Sequence, residues 1–336
     1  NTLSLTARVK ITDASDSSVY DESNANFRIR GSLVVTAPNG GEVWDVGGVQ
    51  NITWTRNGSI PTIKLEYSID GGATYPNTII ASTDASTGIY PWTVPDSIGT
   101  LVRVRATDTN DVTVFDASDN NFKIRGVLNL TSPIGAESWE VASIHNITWS
   151  VTGSIANVKL EYSIDSGTTY PNTIIASTNA GVGSYSWTVP DNISLSVRVK
   201  VSNVVDATVL SASPANFKIT GKLTLTAPNG GEVWPVGSAQ SITWSRVGSI
   251  ANAKLEYSID GGVSYPNLII ASTPANLLSY AWTIPDAIYS TMKVRIMDAS
   301  DAAVYDVSDA NFKIRGSLNL TSPDGGEVWL ISSSHA

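Results

Sequence analysis

The chain has 336 residues, with 21 Lys and Arg against 30 Asp and Glu, so its formal net charge is −9. That balance argues against nucleic acid or an anionic membrane surface as a partner, because both attract clustered Lys and Arg. The absence of cysteine excludes disulfides, thiolate metal sites and cysteine nucleophiles, and no apolar run approaches the ~20 residues that span a bilayer.

Between residues 32 and 126 the hydrophobic pattern predicts about seven strands and no helix longer than a turn. In chain order the predicted strands lie at 33–36, 50–55, 63–69, 79–80, 90–94, 101–106 and 122–125. The strand 63–69 alternates cleanly, so its odd-numbered residues, Ile69 included, are predicted to point inward, and Lys64 and Glu66 are predicted to point outward. The first strand is predicted to end at Pro38, and a turn is predicted at 39–41. A second turn is predicted at 70–72.

The same pattern recurs every 95 residues without insertion or deletion, as Trp44, Trp139, Trp234 and Trp329 illustrate. Three complete units follow from this period, at 32–126, 127–221 and 222–316. Residues 1–30 match the end of a unit and 317–336 match its beginning, so we expect the chain to be a window on a longer array. The alternative is that residues 1–30 of one copy complete residues 317–336 of another. These two segments, however, lack the counterparts of the central strands 52–95.

The length of the repeat predicts the fold class. Ninety-five residues is too long for a solenoid repeat and is the size of one immunoglobulin-like or fibronectin-type β-sandwich. The prediction is therefore an all-β chain of tandem sandwiches. Only one linker residue is plausible at each junction, and a flexible tether would need a longer stretch. We therefore expect a stiff rod of domains, each roughly 35–45 Å long, joined at Gly31, Gly126, Gly221 and Gly316.

Three motif strings carry a resemblance to a known module: Pro38-Asn39-Gly40-Gly41-Glu42-Val43-Trp44, Leu65-Glu66-Tyr67-Ser68-Ile69-Asp70-Gly71-Gly72 and Trp92-Thr93-Val94-Pro95-Asp96. Together they resemble the Kre9/Knh-type N-terminal Ig-like domain, which is named from fungal cell-wall glucan proteins. That module recurs in tandem in bacterial and archaeal secreted and surface proteins. The resemblance covers essentially the whole chain and implies a non-catalytic extracellular β-sandwich. The second unit departs from it at 134–136, where we expect a first turn of different shape.

Tryptophan is abundant, with ten residues in the chain. Two per unit lie on the inward phase of alternating strands and are predicted to fill the sandwich cores: Trp54, Trp92, Trp149, Trp187, Trp244 and Trp282. Trp44, beside a glycine-rich turn, is a candidate for the interdomain junction or, alternatively, for contact with a glycan.

A second structural motif is the string Ser-x-Asp-x-Gly-x-Thr/Ser-Tyr. It resembles the Asp-box hairpin of sialidase-type propellers, in which the aspartate stabilises a turn and takes no part in catalysis. An aspartate in such a turn can accept hydrogen bonds from nearby backbone amides. We assign this role to Asp70, Asp165 and Asp260.

Acidic residues recur around the last hairpin of units one and three, and clustered carboxylates are the ligands that Ca²⁺ prefers. The candidates for a structural Ca²⁺ site are Asp108, Asp111, Asp116, Asp298, Asp301 and Asp306. Unit two has Asn203, Asp206 and Ser211 at these positions, which favours the simpler interpretation of a solvated, turn-forming acidic edge. We similarly expect Glu66 to pair with Lys64 on an exposed face. On these grounds no cofactor is expected.

No catalytic centre is predicted, so we do not expect an enzyme. The two histidines, His145 and His335, are counterparts of each other, and Gln50 and Gln240 replace them in the other units. A catalytic or metal-bound imidazole would not be exchanged for glutamine within one chain. We therefore interpret this position as a polar strand residue.

Three functions remain open at this point. The leading hypothesis is a non-catalytic structural protein that forms an extracellular or cell-surface rod or filament, with neighbouring copies or further repeats as partners. The first alternative is a surface adhesin or a stalk that binds cell-wall polysaccharide. The second alternative is an accessory segment of a large secreted enzyme. The uniform 95-residue period favours the first, because binding arrays more often diversify their loops.

Overall fold

The computed structural model describes residues 2–332 and residue 334, and in that part of the chain the regular structure is β-strand with three single-turn 3₁₀ helices. Residues 2–30 form two small antiparallel sheets. One pairs β1 (Ser4–Ala7) with β4 (Phe27–Ile29), and the other pairs β2 (Lys10–Thr12) with β3 (Tyr20–Glu22).

Each complete unit repeats one set of nine strands and one 3₁₀ helix. Unit one contains β5 (Ser32–Ala37), β6 (Val43–Asp45), β7 (Val49–Asn57), β8 (Thr62–Ser68), β9 (Asn77–Asp84), a 3₁₀ helix (Ala85–Thr87), β10 (Ile89–Thr93), β11 (Gly99–Asp108), β12 (Phe115–Ala117) and β13 (Phe122–Arg125). Unit two contains β14 (Val127–Ser132), β15 (Ser138–Glu140), β16 (Ile144–Thr152), β17 (Asn157–Ser163), β18 (Asn172–Asn179), a 3₁₀ helix (Ala180–Val182), β19 (Ser184–Thr188), β20 (Ser194–Asn203), β21 (Leu210–Ala212) and β22 (Phe217–Thr220). Unit three contains β23 (Lys222–Ala227), β24 (Val233–Pro235), β25 (Ala239–Val247), β26 (Asn252–Ser258), β27 (Asn267–Pro274), a 3₁₀ helix (Ala275–Leu277), β28 (Ser279–Thr283), β29 (Lys293–Asp298), β30 (Tyr305–Val307) and β31 (Lys313–Arg315).

Two sheets face each other in each unit, as in immunoglobulin-like and fibronectin-type sandwiches. In unit one the smaller sheet has the order β10-β7-β5, and the larger has the order β6-β13-β11-β8-β9 with β12 also paired to β11. Pairing is antiparallel except between β6 and β13, which run parallel. Unit two repeats this arrangement, and in unit three the larger sheet is divided into β24-β31 and β27-β26-β29-β30. The predicted fold class, tandem all-β sandwiches, is confirmed.

A separate hydrophobic core fills each unit. In unit one Trp54 and Trp92 are 3% and 6% exposed, and the Trp54 indole Nε1 donates to the Ala85 carbonyl oxygen at 3.0 Å. Trp44 also belongs to this core: it is 7% exposed, meets Trp92 edge-on at 5.9 Å and lies 4.9 Å from the Phe122 ring. Its placement at a junction or against a glycan is therefore wrong. The parallel β6–β13 pairing turns Trp44 inward beside Phe122.

The expected inward position of Ile69 and the expected exposure of Glu66 are also wrong, whereas the expected pairing of Glu66 with Lys64 is present. The strand ends at Ser68, so Ile69 lies in the following turn and is 55% exposed. Glu66 is only 6% exposed although its side chain points away from the core. Its carboxylate is covered because both Lys64 Nζ, at 2.5 Å, and Arg105 Nη2, at 2.8 Å, fold over it.

The first turn keeps its shape in unit two, contrary to expectation. In unit one the Glu42 carboxylate accepts the backbone N–H groups of Asn39 and Gly40. Glu137 accepts the corresponding amides in unit two, and Ala136 adopts a φ of 68° where Gly41 has 84°. The glutamate therefore imposes the turn, and alanine accepts the left-handed conformation that it requires.

Beyond Arg315, the described residues contain no further strand. No helix in the described part of the chain is long and apolar enough to cross a membrane.

Candidate functional site: the joint between neighbouring domains

The junction glycine that precedes each complete unit is packed against that unit. A Cβ on Gly126 would lie 2.7 Å from Ile155 Cγ1 and 2.9 Å from the Thr152 carbonyl oxygen. Gly31 and Gly221 are equally crowded, with contacts of 2.6 Å and 2.5 Å. Real Cβ atoms do not approach other atoms so closely, so glycine is needed here for close backbone approach and not for flexibility.

In units one and two an aspartate binds the next domain. Asp96 follows β10 in unit one, and its carboxylate accepts the Ser154 backbone N–H at 2.9 Å and the Ser154 hydroxyl at 2.5 Å in unit two. Asp191 accepts the same two groups from Ser249, at 2.8 Å and 2.6 Å. The hydrogen bonds from the Ser249 hydroxyl and amide lower the pKa of Asp191.

An ion pair makes a further attachment across each joint. Lys123 Nζ on β13 lies 2.5 Å from Asp206 Oδ2, which belongs to the loop between β20 and β21 of the next unit. Lys218 and Asp301 form the equivalent pair at 2.9 Å. Lys123 is the first cause of the lowered pKa of Asp206, followed by the Thr208 hydroxyl. Burial opposes ionisation of Asp301, but the hydrogen bond from Lys218 helps to lower its pKa on balance.

Residues 2–30 make a similar ionic contact with unit one through a different residue. Arg30 Nε lies 3.1 Å from Asp111 Oδ2. Arg30 is not the counterpart of Lys123, which is Arg28. The acidic partner therefore keeps its position in the repeat while the cation shifts by two residues along the strand.

A second glycine brings the loop surfaces into contact. Gly153, in the loop between β16 and β17, has a φ of 85°. A Cβ there would lie 3.1 Å from Val46 Cγ2 and 3.2 Å from Asp96 Oδ1 of unit one. Gly248 is placed in the same way against Val141 and Asp191 of unit two. Units two and three thus each contact the preceding unit through the covalent link, the Asp–Ser contact and the ion pair.

The Ca²⁺ candidates are not brought together. In unit one the Asp108 carboxylate accepts the Asn110 N–H, Asp111 pairs with Arg30, and Asp116 Oδ2 accepts the Val35 N–H at 2.7 Å. In unit three Asp298 accepts the Ser300 N–H, Asp301 pairs with Lys218, and Asp306 accepts the Leu225 N–H. Among the described residues no group of three or more His, Cys, Asp or Glu is placed to hold a metal ion.

The Asp-box aspartates lie in hydrogen-bonded turns. Asp70 Oδ1 accepts the Ser68 hydroxyl at 2.5 Å and the Thr74 N–H at 3.0 Å, while Oδ2 accepts the Thr74 hydroxyl at 2.6 Å. Asp165 and Asp260 make the same contacts. Hydrogen bonds from the Ser163 and Thr169 hydroxyls lower the pKa of Asp165 to about 2.

His145 stacks on Trp139 with ring centres 4.5 Å apart, and its Nε2 lies 3.0 Å from the Ser143 hydroxyl. Gln240 makes the corresponding contact with Ser238 at 3.2 Å. A glutamine amide thus takes up the same local contact as the imidazole. His335 lies outside the described residues.

The residues of the joint are not among those predicted from the sequence. The strand pattern does not distinguish Lys123 or Lys218 from other exposed lysines, and it presents the aspartates opposite them only as Ca²⁺ candidates or solvated loop residues. One signal was available: a basic residue recurs at Arg28, Lys123, Lys218 and Lys313, and an acidic residue recurs at Asp111, Asp206 and Asp301. Both series run at the 95-residue period.

No protein-family model and no curated protein sequence matches the chain. Among solved structures the chain is similar to the fibronectin(III)-like modules of Clostridium thermocellum CbhA, at 14% identity and a TM-score of 0.20, covering 56% of this chain and 94% of that one. It is also similar to the N-terminal four Ig domains of Dscam1 isoform 8.4, at 8% identity and a TM-score of 0.32, covering 85% and 73%. Likeness at this level concerns the fold alone and carries no argument about function.

Proposed function

We propose that this chain is a non-catalytic structural element, a rod of tandem Ig-like domains in which each joint restricts the angle between neighbours. The observation that carries the proposal is the repeated joint. A single covalent link would allow one domain to swing and twist about it. The Asp96–Ser154 and Lys123–Asp206 contacts are contributed by separate elements, so together with the link they oppose both motions.

The absence of catalysis belongs to the same proposal. Charged residues that repeat from unit to unit make turn and joint contacts, as Glu42, Asp70 and Asp96 do in unit one or its joint with unit two. In unit three Gln240 replaces His145 and makes a similar contact, with the Ser238 hydroxyl. Residues that stabilise a repeating scaffold are expected to repeat with it, whereas an active site is needed only once.

The proposed location is outside the cell, and the proposed partners are further repeats or neighbouring copies of the chain. The resemblance of the motif strings to the Kre9/Knh-type module supports this, since that module occurs in secreted and surface proteins. The low content of charged residues, 15%, is also common on bacterial extracellular proteins.

Small-angle X-ray scattering of the full chain tests the joint. We expect an ensemble fitted to the scattering of the native protein to have one narrow distribution of the distances between domain centres. The variant Asp96→Ala/Lys123→Ala/Asp191→Ala/Lys218→Ala should have a broader distribution, because only the covalent links and apolar contacts remain at two joints.

The matched control is Asp286→Ala/Lys313→Ala, which changes the same positions of unit three; among the described residues neither side chain contacts a following unit. Its distance distribution should match that of the native protein. Identical scattering from the fourfold variant and the native chain would contradict the proposal, as would a native chain that is already broadly distributed.

A further inference from the structure

The outer face of the larger sheet carries three cations around one carboxylate in every complete unit. Along the β8–β11 ladder Arg103 lies opposite Ser68, and Arg105 lies opposite Glu66. Residues that alternate along a strand share a face, so these side chains and Lys64 lie on the side away from the core. We call this set the cationic face. It comprises Lys64, Glu66, Arg103 and Arg105, then Lys159, Glu161, Arg198 and Lys200, then Lys254, Glu256, Lys293 and Arg295.

Positive charge is in excess on this face. Lys64 and Arg105 share the single carboxylate of Glu66. Arg103 donates to the neutral Asn121 side chain at 2.7 Å and to the Ser118 carbonyl oxygen at 3.3 Å. The set itself holds three cations and one carboxylate. The carboxylate of the adjoining Asp-box turn, Asp70 in unit one, acts on the same Tyr75 ring and lowers the excess to one positive charge per unit, on a chain whose net charge is −9. Because the protein as a whole is acidic, the positive charge of this face comes from the local arrangement of its residues and not from the overall composition.

Aromatic rings lie directly beside these cations. The Arg105 guanidinium is 4.3 Å from the centre of the Tyr75 ring and 5.7 Å from that of Phe115. Lys200 over Tyr170, at 4.6 Å, and Arg295 over Tyr265, at 4.5 Å, repeat the first contact. Such contacts hold a flexible cationic side chain in one orientation.

The outermost ring is accessible. Phe115 and its counterpart Tyr305 are 55% and 56% exposed, and Leu210 provides an apolar surface at the same position in unit two, 49% exposed. An exposed apolar side chain beside oriented cations offers two kinds of contact at once: an apolar surface for a ring and N–H donors for an anion.

We propose that the cationic face binds a linear polysaccharide that bears carboxylates. The C–H face of a sugar ring would lie on Phe115 or Tyr305, and the carboxylates would pair with the lysine and arginine side chains. Charge complementarity selects an anionic partner. The recurrence of the site once per unit suits a polymer, because one strand that contacts several units gains affinity from each additional contact. This inference goes beyond the structural rod and does not depend on the stiffness of the joints.

A nucleic acid also combines rings with negative charge, so it is the competing partner. The net charge of −9 over the whole chain opposes both polymers, and it opposes a nucleic acid more strongly because duplex DNA carries about one negative charge per 1.7 Å of helix axis. A polyuronate carries its charges on the rings that stack, which fits a face where cations and rings adjoin.

Affinity electrophoresis of the full chain in gels that contain polygalacturonate tests the proposal at low ionic strength. We expect polygalacturonate to retard the native protein and the neutral polymer dextran to leave its mobility unchanged. The variant Lys64→Gln/Lys159→Gln/Lys254→Gln should bind at least tenfold more weakly. The variant Phe115→Ala/Tyr305→Ala should also bind severalfold more weakly, and it removes exposed rings that the fold does not need.

Matched controls separate this site from other effects. Val49→Ala/Ile144→Ala changes side chains that are 64% and 67% exposed and lie on the smaller sheet, so it should bind like the native protein. Lys123→Ala/Lys218→Ala removes two joint cations and should also keep its retardation, which distinguishes failure of this proposal from failure of the structural rod. Circular dichroism melting would show that the lysine variant is folded.

Three outcomes would overturn the proposal. These are a native protein that polygalacturonate does not retard, retardation that both the lysine and the aromatic variants retain, and equal retardation by dextran. Oligo-dT is the competing probe. If it bound the native chain more tightly than polygalacturonate, with the same dependence on Lys64 and Phe115, the face would be assigned to nucleic acid instead.

Discussion

Ala136 occupies a backbone position that glycine holds in units one and three. Its φ of 68° is a left-handed conformation, which costs an L-residue roughly 1–2 kcal/mol. There is room for its Cβ, since nothing lies within 4 Å of a Cβ built on Gly41 or Gly231. The cost is therefore conformational and not steric.

Replacement of this alanine by glycine should stabilise unit two. We expect Ala136→Gly to raise its free energy of unfolding by about 0.5–1 kcal/mol, because relief of the left-handed strain exceeds the extra freedom of glycine in the unfolded chain. Thermal unfolding of the full chain measures the effect. Ala142→Gly is a second test, since Ala142 has a φ of 67°. A lower melting temperature for both variants would contradict this account.

The Asp-box turn makes a pH-dependent contribution. The pKa of Asp165 is about 2 in the folded chain, below the unfolded value of about 3.9. A carboxylate with a lowered folded pKa contributes stability above its unfolded pKa and loses it as the pH falls through the folded pKa. The contribution should therefore be complete above about pH 4 and lost towards pH 2.

The variant Asp165→Asn tests this assignment. It should be less stable than the native chain at pH 7, and the difference between the two should shrink between pH 4 and pH 2. Chemical unfolding followed by tryptophan fluorescence at a series of pH values provides the comparison. A difference that stays constant over that range would show that ionisation of Asp165 does not contribute.

At the scale of the elements, one side chain closes the edge between the two sheets. Asp116 on β12 belongs to the larger sheet, and its Oδ2 accepts the N–H of Val35 on β5 in the smaller sheet. Asp306 does the same for Leu225, and the Ser211 hydroxyl accepts the Leu130 N–H at 3.0 Å in unit two. The position needs a hydrogen-bond acceptor and not a charge.

The variants Asp116→Ala and Asp116→Ser should therefore differ. Loss of the acceptor leaves a partly buried N–H without its partner, which costs roughly 1–3 kcal/mol. We expect Asp116→Ala to destabilise unit one by this amount and Asp116→Ser to recover a large part of it, as measured by chemical unfolding. Equal destabilisation by both variants would point to a requirement for the carboxylate itself.

At the scale of the whole molecule, the joint contacts differ in their response to salt. The Lys123–Asp206 pair is partly exposed, with 24% of each side chain accessible, so added salt should weaken it. Close packing of Gly126 and Gly153 does not depend on charge. The scattering experiment proposed for the joint should accordingly show some broadening of the native distance distribution in 1 M salt, but less than in the fourfold variant.

The sequence by itself determined the period of 95 residues, the tandem sandwiches and the buried positions of Trp54 and Trp92. These follow from the spacing of apolar residues along strands, which is local information repeated three times over. The burial of Trp44 could not be predicted in this way, because its strand has only three residues, too few to show an alternating pattern.

Only the tertiary structure decided how charged side chains are paired. Whether Lys123 meets Asp206 depends on the rotation of one domain on the next, and whether Arg105 covers Glu66 depends on the register of β8 against β11. Neither quantity is contained in a local pattern. The acidic loop residues that the sequence offered as calcium ligands or solvated edges therefore became joint and edge contacts only once the strands were placed in three dimensions.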